Sequence, residues 1–178
     1  MSLLAFLGFG KPDPGADSRA SDTAAVRKIL GALEKLDRER ARYLAAFAYI
    51  LGRVAYADRE VGKEETTAME RIVMEEGQLP EEQAAVVVQM AKTQNLLFGG
   101  TEDFLVTREF NLIASHGQKM TLVACLFAVS AADDSITTVE DNEIRRVAVE
   151  LKIEHPDYIA VRSRYRGHLS VLKDRGDD

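Results

Sequence analysis

The chain has 178 residues, 46% hydrophobic and 29% charged, with a formal net charge of −6. This length fits one domain, or two duplicated half-domains that share a core, and the composition excludes a disordered chain. The net negative charge argues against nucleic-acid binding through a basic face. Trp is absent while Ala, Leu, Glu and Arg are abundant, so we expect an all-α fold.

The first twenty residues differ in composition from the rest of the chain. An apolar tail (residues 1–10) precedes a Pro/Gly/Asp linker (11–20), and it lacks the basic n-region and cleavage site of a signal peptide. Docking on the domain or disorder is the favoured interpretation of the tail. The alternatives are binding in a partner groove and shallow membrane insertion through residues 3–9, which usually needs a second signal. The last alternative would make the protein peripheral at the inner membrane face.

Helical periodicity is nearly continuous from residue 21 to residue 173, which we expect to form the domain, with 174–178 frayed. Gly77 is expected as the C′ residue that ends one helix, Pro80 starts the next, and His116 is expected at a helix end. The pattern predicts helices at about 22–36, 38–56, 63–76, 80–98, 101–115, 118–131, 138–151 and 156–173. The last helix should bury Tyr158, Ile159, Tyr165, Leu169 and Leu172.

Residues 54–75 and 129–150 repeat one pattern at an offset of 75, with six identities over 22 positions. The repeats (near 38–77 and 118–152) would form two helical hairpins related by an approximate two-fold axis. Their Met69/Ile72 and Ile144/Val147 faces would then be buried together. Each copy carries an Asp and a Glu seven residues apart, Asp58 with Glu65 and Asp133 with Glu140.

These acidic pairs have two interpretations. Thr137 and Glu140 fit a capping box at a helix start, and Asp133 fits an Asx-turn before it, so helix capping explains the spacing without any ligand. The second interpretation is a site for a hard divalent cation such as Ca²⁺, Mg²⁺ or Mn²⁺, with Asp58, Glu65, Asp133 and Glu140 as ligands. Neither loop is an EF-hand, because position 12 is Met69 in one copy and Ile144 in the other.

The cysteine and the histidines, which often form catalytic or metal sites, do not indicate such a site in this sequence. Cys125 is the sole cysteine and lies in an apolar run (122–129), so we expect a buried, inert thiol in a reducing cytoplasm. His116, His155 and His168 lack zinc-ligand spacing, and no P-loop or nucleophile-elbow motif is present. Arg162, Arg164 and Arg166 are expected to be solvated or paired with the acidic loops. We therefore predict no enzymatic activity, and the sequence identifies no small-molecule substrate.

The segments 57–65 and 132–140 resemble the hallmark of the TerB-like family, Ala-Asp-Gly-x-[Val/Ile]-[Ser/Thr]-x-x-Glu. That family includes the tellurite-resistance protein TerB and the N-terminal domain of the co-chaperone DjlA. Both segments match at Ala, Asp, Val or Ile, and Glu, and the second also at Thr137. Arg59 and Asp134 stand where the hallmark has Gly, and Gly62 replaces its Ser/Thr.

The resemblance implies one all-α domain of about seven to eight helices with internal pseudo-symmetry. It implies acidic residues suspected of metal binding, and a role in bacterial stress or tellurite resistance beside membrane-associated partners, without a known enzymatic reaction. We therefore expect a cytoplasmic adaptor whose acidic loops dock a protein partner or respond to a cation. The alternatives are a direct cation-binding module and a membrane-tethered accessory protein.

Overall fold

A computed structural model describes residues 31, 34–55, 57, 63–98 and 102–173, with the side chains of 63–65, 93–98 and 172–173 left outside the description. These residues form an all-α fold, without a strand in the part described. The helix predicted at 22–36 lies almost wholly outside these residues, as do the tail and linker. The helices are α1 (Arg38–Ala55), α2 (Lys63–Glu75), α3 (Glu81–Phe98), α4 (Asp103–Ile113), α5 (His116–Ser130), α6 (Thr138–Glu150), α7 (His155–Arg164) and α8 (Ser170–Lys173), with a 3₁₀ turn at Arg166–His168.

Helix α1 lies at the centre of the fold. Asp37 caps its start by accepting a hydrogen bond from the Arg40 amide at 2.9 Å. From Tyr43 to Leu51 every side chain is buried, because α3, α4, α5 and α6 all pack against α1. The small residues among these, such as Ala45 and Ala48, let neighbouring helices approach on all sides. Helix α5 is buried in the same way over residues 122–127.

The helices of the two predicted hairpins pack against one another. Helix α1 contacts both α5 and α6, and α5 also contacts α2. Helices α2 and α6 are not among the principal packing pairs, although Met69, Ile144 and Val147 lie in one buried core cluster and Ile72 packs against it. The approximate two-fold axis stays a prediction.

Two helix ends differ from the sequence expectation. At the end of α2 the left-handed residue is Gln78 (φ 52°), not Gly77. Gly77 is needed for space, since a Cβ atom there would lie 2.3 Å from the carbonyl oxygen of Val73. His116 begins α5 rather than ending α4, because Ser115 forms a capping box with Gln118.

The predicted final helix (156–173) is broken at Tyr165. Tyr158 and Leu169 are buried as predicted, but Ile159 is 42% exposed and Val161 takes its place in the core. The break arises because Leu169 is extended and pairs with Ile136, which a continuous helix would prevent. Tyr165 stacks on Phe127 with ring centroids 5.5 Å apart and anchors this C-terminal segment.

Candidate functional site

The second acidic loop (residues 131–137) joins α5 to α6 and is held at both ends. After α5, the Asp134 amide donates to the carbonyl oxygen of Ala131 at 3.0 Å. At the other end, the Ile136 amide donates to the His168 carbonyl at 2.7 Å, and the Ser170 amide donates to the Ile136 carbonyl at 3.0 Å. The Ile136 side chain is fully buried. These contacts fix the loop against the C-terminal segment.

Glu140 and Thr137 form the predicted capping box. The Thr137 hydroxyl oxygen accepts from the Glu140 amide at 3.2 Å, and the Glu140 carboxylate accepts from the Thr137 amide at 2.9 Å. The Thr137 hydroxyl also donates to this carboxylate at 2.9 Å. Glu140 is buried, at 7% exposure. The helix-capping interpretation is therefore confirmed for the second copy, and its carboxylate is already engaged by protein donors.

The aspartates of this loop have different surroundings. Asp133 is exposed and accepts a hydrogen bond from the Ser135 amide at 3.1 Å, the predicted Asx-turn. The Asp134 side chain is 95% exposed, with the His168 ring 3.9 Å from its carboxylate. Asp141 lies in the first turn of α6, and its carboxylate accepts hydrogen bonds from Nε and Nη2 of Arg162 at 2.8 and 2.6 Å. The predicted pairing of Arg162 with acidic residues is thus confirmed.

The structure describes the side chains of only two of the four predicted cation ligands. Asp58 lies outside the described residues, and Glu65 lies in α2 with its side chain outside them. Asp133 and Glu140 are described, and the Glu140 carboxylate is directed at Thr137. Within the described ranges, no three His, Cys, Asp or Glu side chains are grouped closely enough to hold a metal ion. The joint site stays a prediction.

A buried guanidinium that the sequence analysis missed lies between α1, α4 and α6. The Arg53 side chain is 4% exposed and contacts Asp103, Glu143 and Glu150, with Nη1 2.8 Å from a Glu150 oxygen. Nη1 also donates to the Thr107 hydroxyl at 3.2 Å. The one sequence signal for it is Glu143 and Glu150, two turns apart on one side of α6.

The pKa values in this Arg53 cluster follow from burial and charge. Burial raises the pKa of Asp103 above its ordinary value, although the Arg53 guanidinium opposes that shift. Burial lowers the pKa of Arg53, but its hydrogen bonds to Glu150 and Glu143 outweigh this effect and raise it. Burial and the neighbouring Asp103 raise the pKa of Tyr49, whose hydroxyl donates to Asp103 at 3.1 Å. The cluster therefore keeps Arg53 charged and Tyr49 neutral.

Cys125 is fully buried, and burial raises the pKa of its thiol. The predicted inert thiol is confirmed in its burial and in the direction of its pKa, because only a thiolate is a good nucleophile. Across the described residues, no helix is both long enough and apolar enough to cross a bilayer.

Comparison with known protein families shows to which family this chain belongs. The family described as "Tellurite resistance protein TerB" matches residues 44–163. The chain belongs to the TerB family. No curated protein and no solved structure matches the chain. The TerB match runs from α1 into α7 and so includes both acidic loops and the Arg53 cluster.

This chain departs from the TerB hallmark at Asp134, and the backbone conformation there shows how the loop accommodates the change. Asp134 stands where the hallmark has glycine, and its φ of 66° lies in the left-handed region that glycine adopts without strain. Aspartate tolerates this conformation better than most residues. The loop therefore takes the backbone turn that a TerB glycine would allow, and it adds an exposed carboxylate there.

Proposed function

We propose that this TerB-family protein is a non-enzymatic, cytoplasmic adaptor in tellurite resistance and stress response, and that the second acidic loop (131–137) docks a protein partner. The observation that carries the proposal is the pair of exposed carboxylates of Asp133 and Asp134 on a loop whose backbone is fixed by Ile136 and His168. A fixed loop loses little conformational entropy when a partner binds, so exposed charges on it favour specific recognition.

The electrostatics of the loop indicate a basic partner surface. Asp133 and Asp134 are both exposed, with Asp133 accepting from the Ser135 amide and Asp134 beside the His168 ring. Glu140 is buried in the cap, and Asp141 is paired with Arg162. The exposed carboxylates would steer a Lys- or Arg-bearing surface toward the loop, and this attraction should weaken as salt increases. The first acidic loop, around Asp58, would provide a second docking position.

Cross-linking followed by mass spectrometry tests the docking role. Full-length protein, an Asp133→Asn/Asp134→Asn variant and a control Glu81→Gln/Glu82→Gln variant are expressed at equal levels in the native host. Glu81 and Glu82 are exposed at the start of α3, so the control removes the same charge elsewhere. We expect a partner that wild type and control cross-link equally and the loop variant loses. Equal cross-linking by all three proteins would contradict the proposal.

A divalent cation is the second candidate ligand of the acidic loops. The exposed carboxylate of Asp133 favours it, since oxygen donors suit hard cations. Calorimetric titration of Ca²⁺, Mg²⁺ and Mn²⁺ into wild type and an Asp58→Asn/Asp133→Asn variant tests it. Binding that disappears in the variant supports a cation-responsive adaptor. Failure of the folded protein to bind any of the three eliminates this candidate.

The third candidate role, membrane tethering through residues 3–9, is tested by removing residues 1–20. Tethering requires that the full chain cosediments with anionic vesicles and that the truncated chain does not. Equal sedimentation of both forms would eliminate it.

A further inference from the structure

A groove of about 740 Å³ lies between α6 and the start of α7. Its lining residues on α6 run from Asn142 to Glu150, and none of its lining residues belongs to the acidic loop (131–137). The groove therefore forms a surface separate from the one assigned to partner docking above, and its role does not depend on that assignment.

The floor of the groove is apolar. Val149 is 71% exposed, one of the most exposed large hydrophobic side chains of the described residues, and Ile153 and Tyr158 line the groove beside it. Val139, 55% exposed, lies on the same outward side of α6, since positions 139, 142, 146 and 149 follow helical spacing. The outer side of α6 thus presents aliphatic side chains that the core does not use.

The rim of the groove is basic, although the chain as a whole has a net charge of −6. Arg145 and Arg146 line one wall, and exposed His155 begins α7 on the other. Arg146 contacts Glu143 at 3.2 Å, whereas Arg145 forms no ion pair with any described residue. Glu150 also lines the groove, but its carboxylate is bound to Arg53.

The start of α7 carries its own carboxylates, Glu154 at the N-cap and Asp157 in the first turn, which offset the positive end of the helix dipole. The positive charge of the groove therefore comes from Arg145 and Arg146. We propose that this groove binds an acidic segment of a partner protein, with one apolar side chain over Val149 and flanking carboxylates toward Arg145 and Arg146. The apolar floor favours a peptide over nucleic acid, whose phosphates would contact the rim and leave Val149 exposed.

Fluorescence anisotropy with defined peptides tests the groove. The probe is fluorescein-labelled Glu-Asp-Glu-Leu-Phe-Glu-Asp-Glu, compared with an uncharged version (Gln and Asn for Glu and Asp) and one with Ser-Ser for Leu-Phe. We expect the probe to bind the full-length protein more tightly than either comparison peptide, with weaker binding at high salt. Amide chemical-shift changes should be largest over residues 142–158.

Variants assign this binding to the groove. Arg145→Glu/Arg146→Glu and, separately, Val149→Asp should each weaken probe binding by at least about tenfold. All three residues are exposed, so their replacement leaves the core intact, and thermal melting verifies this. Arg108→Glu, an exposed arginine on α4, and Asp133→Asn/Asp134→Asn should leave binding unchanged.

Several results would overturn the proposal. The first is that the probe does not bind at a protein concentration of about 1 mM. The second is that the charged and uncharged peptides bind equally, and the third is that both groove variants bind the probe as tightly as the wild type does. Tighter binding of a single-stranded oligonucleotide in the same groove would replace the peptide by nucleic acid. Self-association lost in both the groove variant and the Asp133→Asn/Asp134→Asn variant would replace it by a second copy of this chain.

Discussion

Arg53→Met removes the guanidinium that Asp103, Glu143 and Glu150 share, and it leaves three partly buried carboxylates facing one another. The Arg53 side chain is 4% exposed, and the three carboxylate side chains are 15–30% exposed. Removing one partner of a buried ion pair costs about 3–5 kcal/mol. Because water reaches these carboxylates, we expect a loss of about 3 kcal/mol. For a chain of this length, that loss lowers Tm by roughly 6–12 °C.

The destabilisation of Arg53→Met should depend on pH. Burial raises the pKa of Asp103 and Arg53 opposes the shift, so removing Arg53 raises this pKa further. A carboxyl group with a raised folded-state pKa stabilises the fold below its unfolded pKa and loses that contribution as pH rises through the folded value. The deficit of the variant relative to wild type should therefore shrink as pH falls from about 7 to about 5.

Urea unfolding followed by circular dichroism at both pH values measures this deficit. Arg108→Met is the matched control, because Arg108 is 55% exposed and its pair with Glu109 is long, at 3.6 Å. The control should change the free energy of unfolding by less than about 0.5 kcal/mol. A loss below about 1 kcal/mol for Arg53→Met near neutral pH, or the same loss at both pH values, would refute the reasoning.

Three further substitutions test local features through the free energy of unfolding. Thr137→Ala removes the hydroxyl that accepts from the Glu140 amide and donates to the Glu140 carboxylate, and it keeps the Thr137 amide that donates to that carboxylate. It should cost about 1–2 kcal/mol, whereas exposed Thr138→Ala should change stability by less than about 0.5 kcal/mol; equal effects would contradict the capping role. Gly77→Ala forces a Cβ atom against a backbone carbonyl and should cost about 1–3 kcal/mol. At Gly117 a Cβ atom would meet only the Ser115 hydroxyl oxygen at 4.0 Å, so Gly117→Ala should be neutral or stabilising. Asp134→Gly relieves a left-handed φ and should gain up to about 0.5 kcal/mol; a clear loss would show that the Asp134 carboxylate stabilises the loop.

The sequence predicted most of the helices because their caps and periodicity are local. The helix predicted at about 38–56 is Arg38–Ala55, and the capping box of Thr137 and Glu140 is present. The end of α2 was harder to predict, because a glycine in the sequence is compatible with either a left-handed turn or a close backbone approach. Only the packed structure shows that close approach is its role and that Gln78 makes the turn.

The tertiary contacts of Arg53 and Ile136 were beyond prediction because they join distant segments. Arg53 pairs with carboxylates 50 to 97 residues away, and a charged residue in an apolar helix is ordinarily placed on the surface. The pairing of Ile136 with Leu169 breaks the final helix through tertiary hydrogen bonds that no local pattern signals. The acidic loop itself was predicted, but its fixed geometry was not.

Growth on tellurite tests the central claim most directly. Host cells without this gene receive wild type, Asp133→Asn/Asp134→Asn or Glu81→Gln/Glu82→Gln at equal protein levels and equal Tm. The adaptor account predicts that wild type and the α3 control restore resistance and that the loop variant does not. Full resistance with the loop variant would contradict a functional role for the second acidic loop.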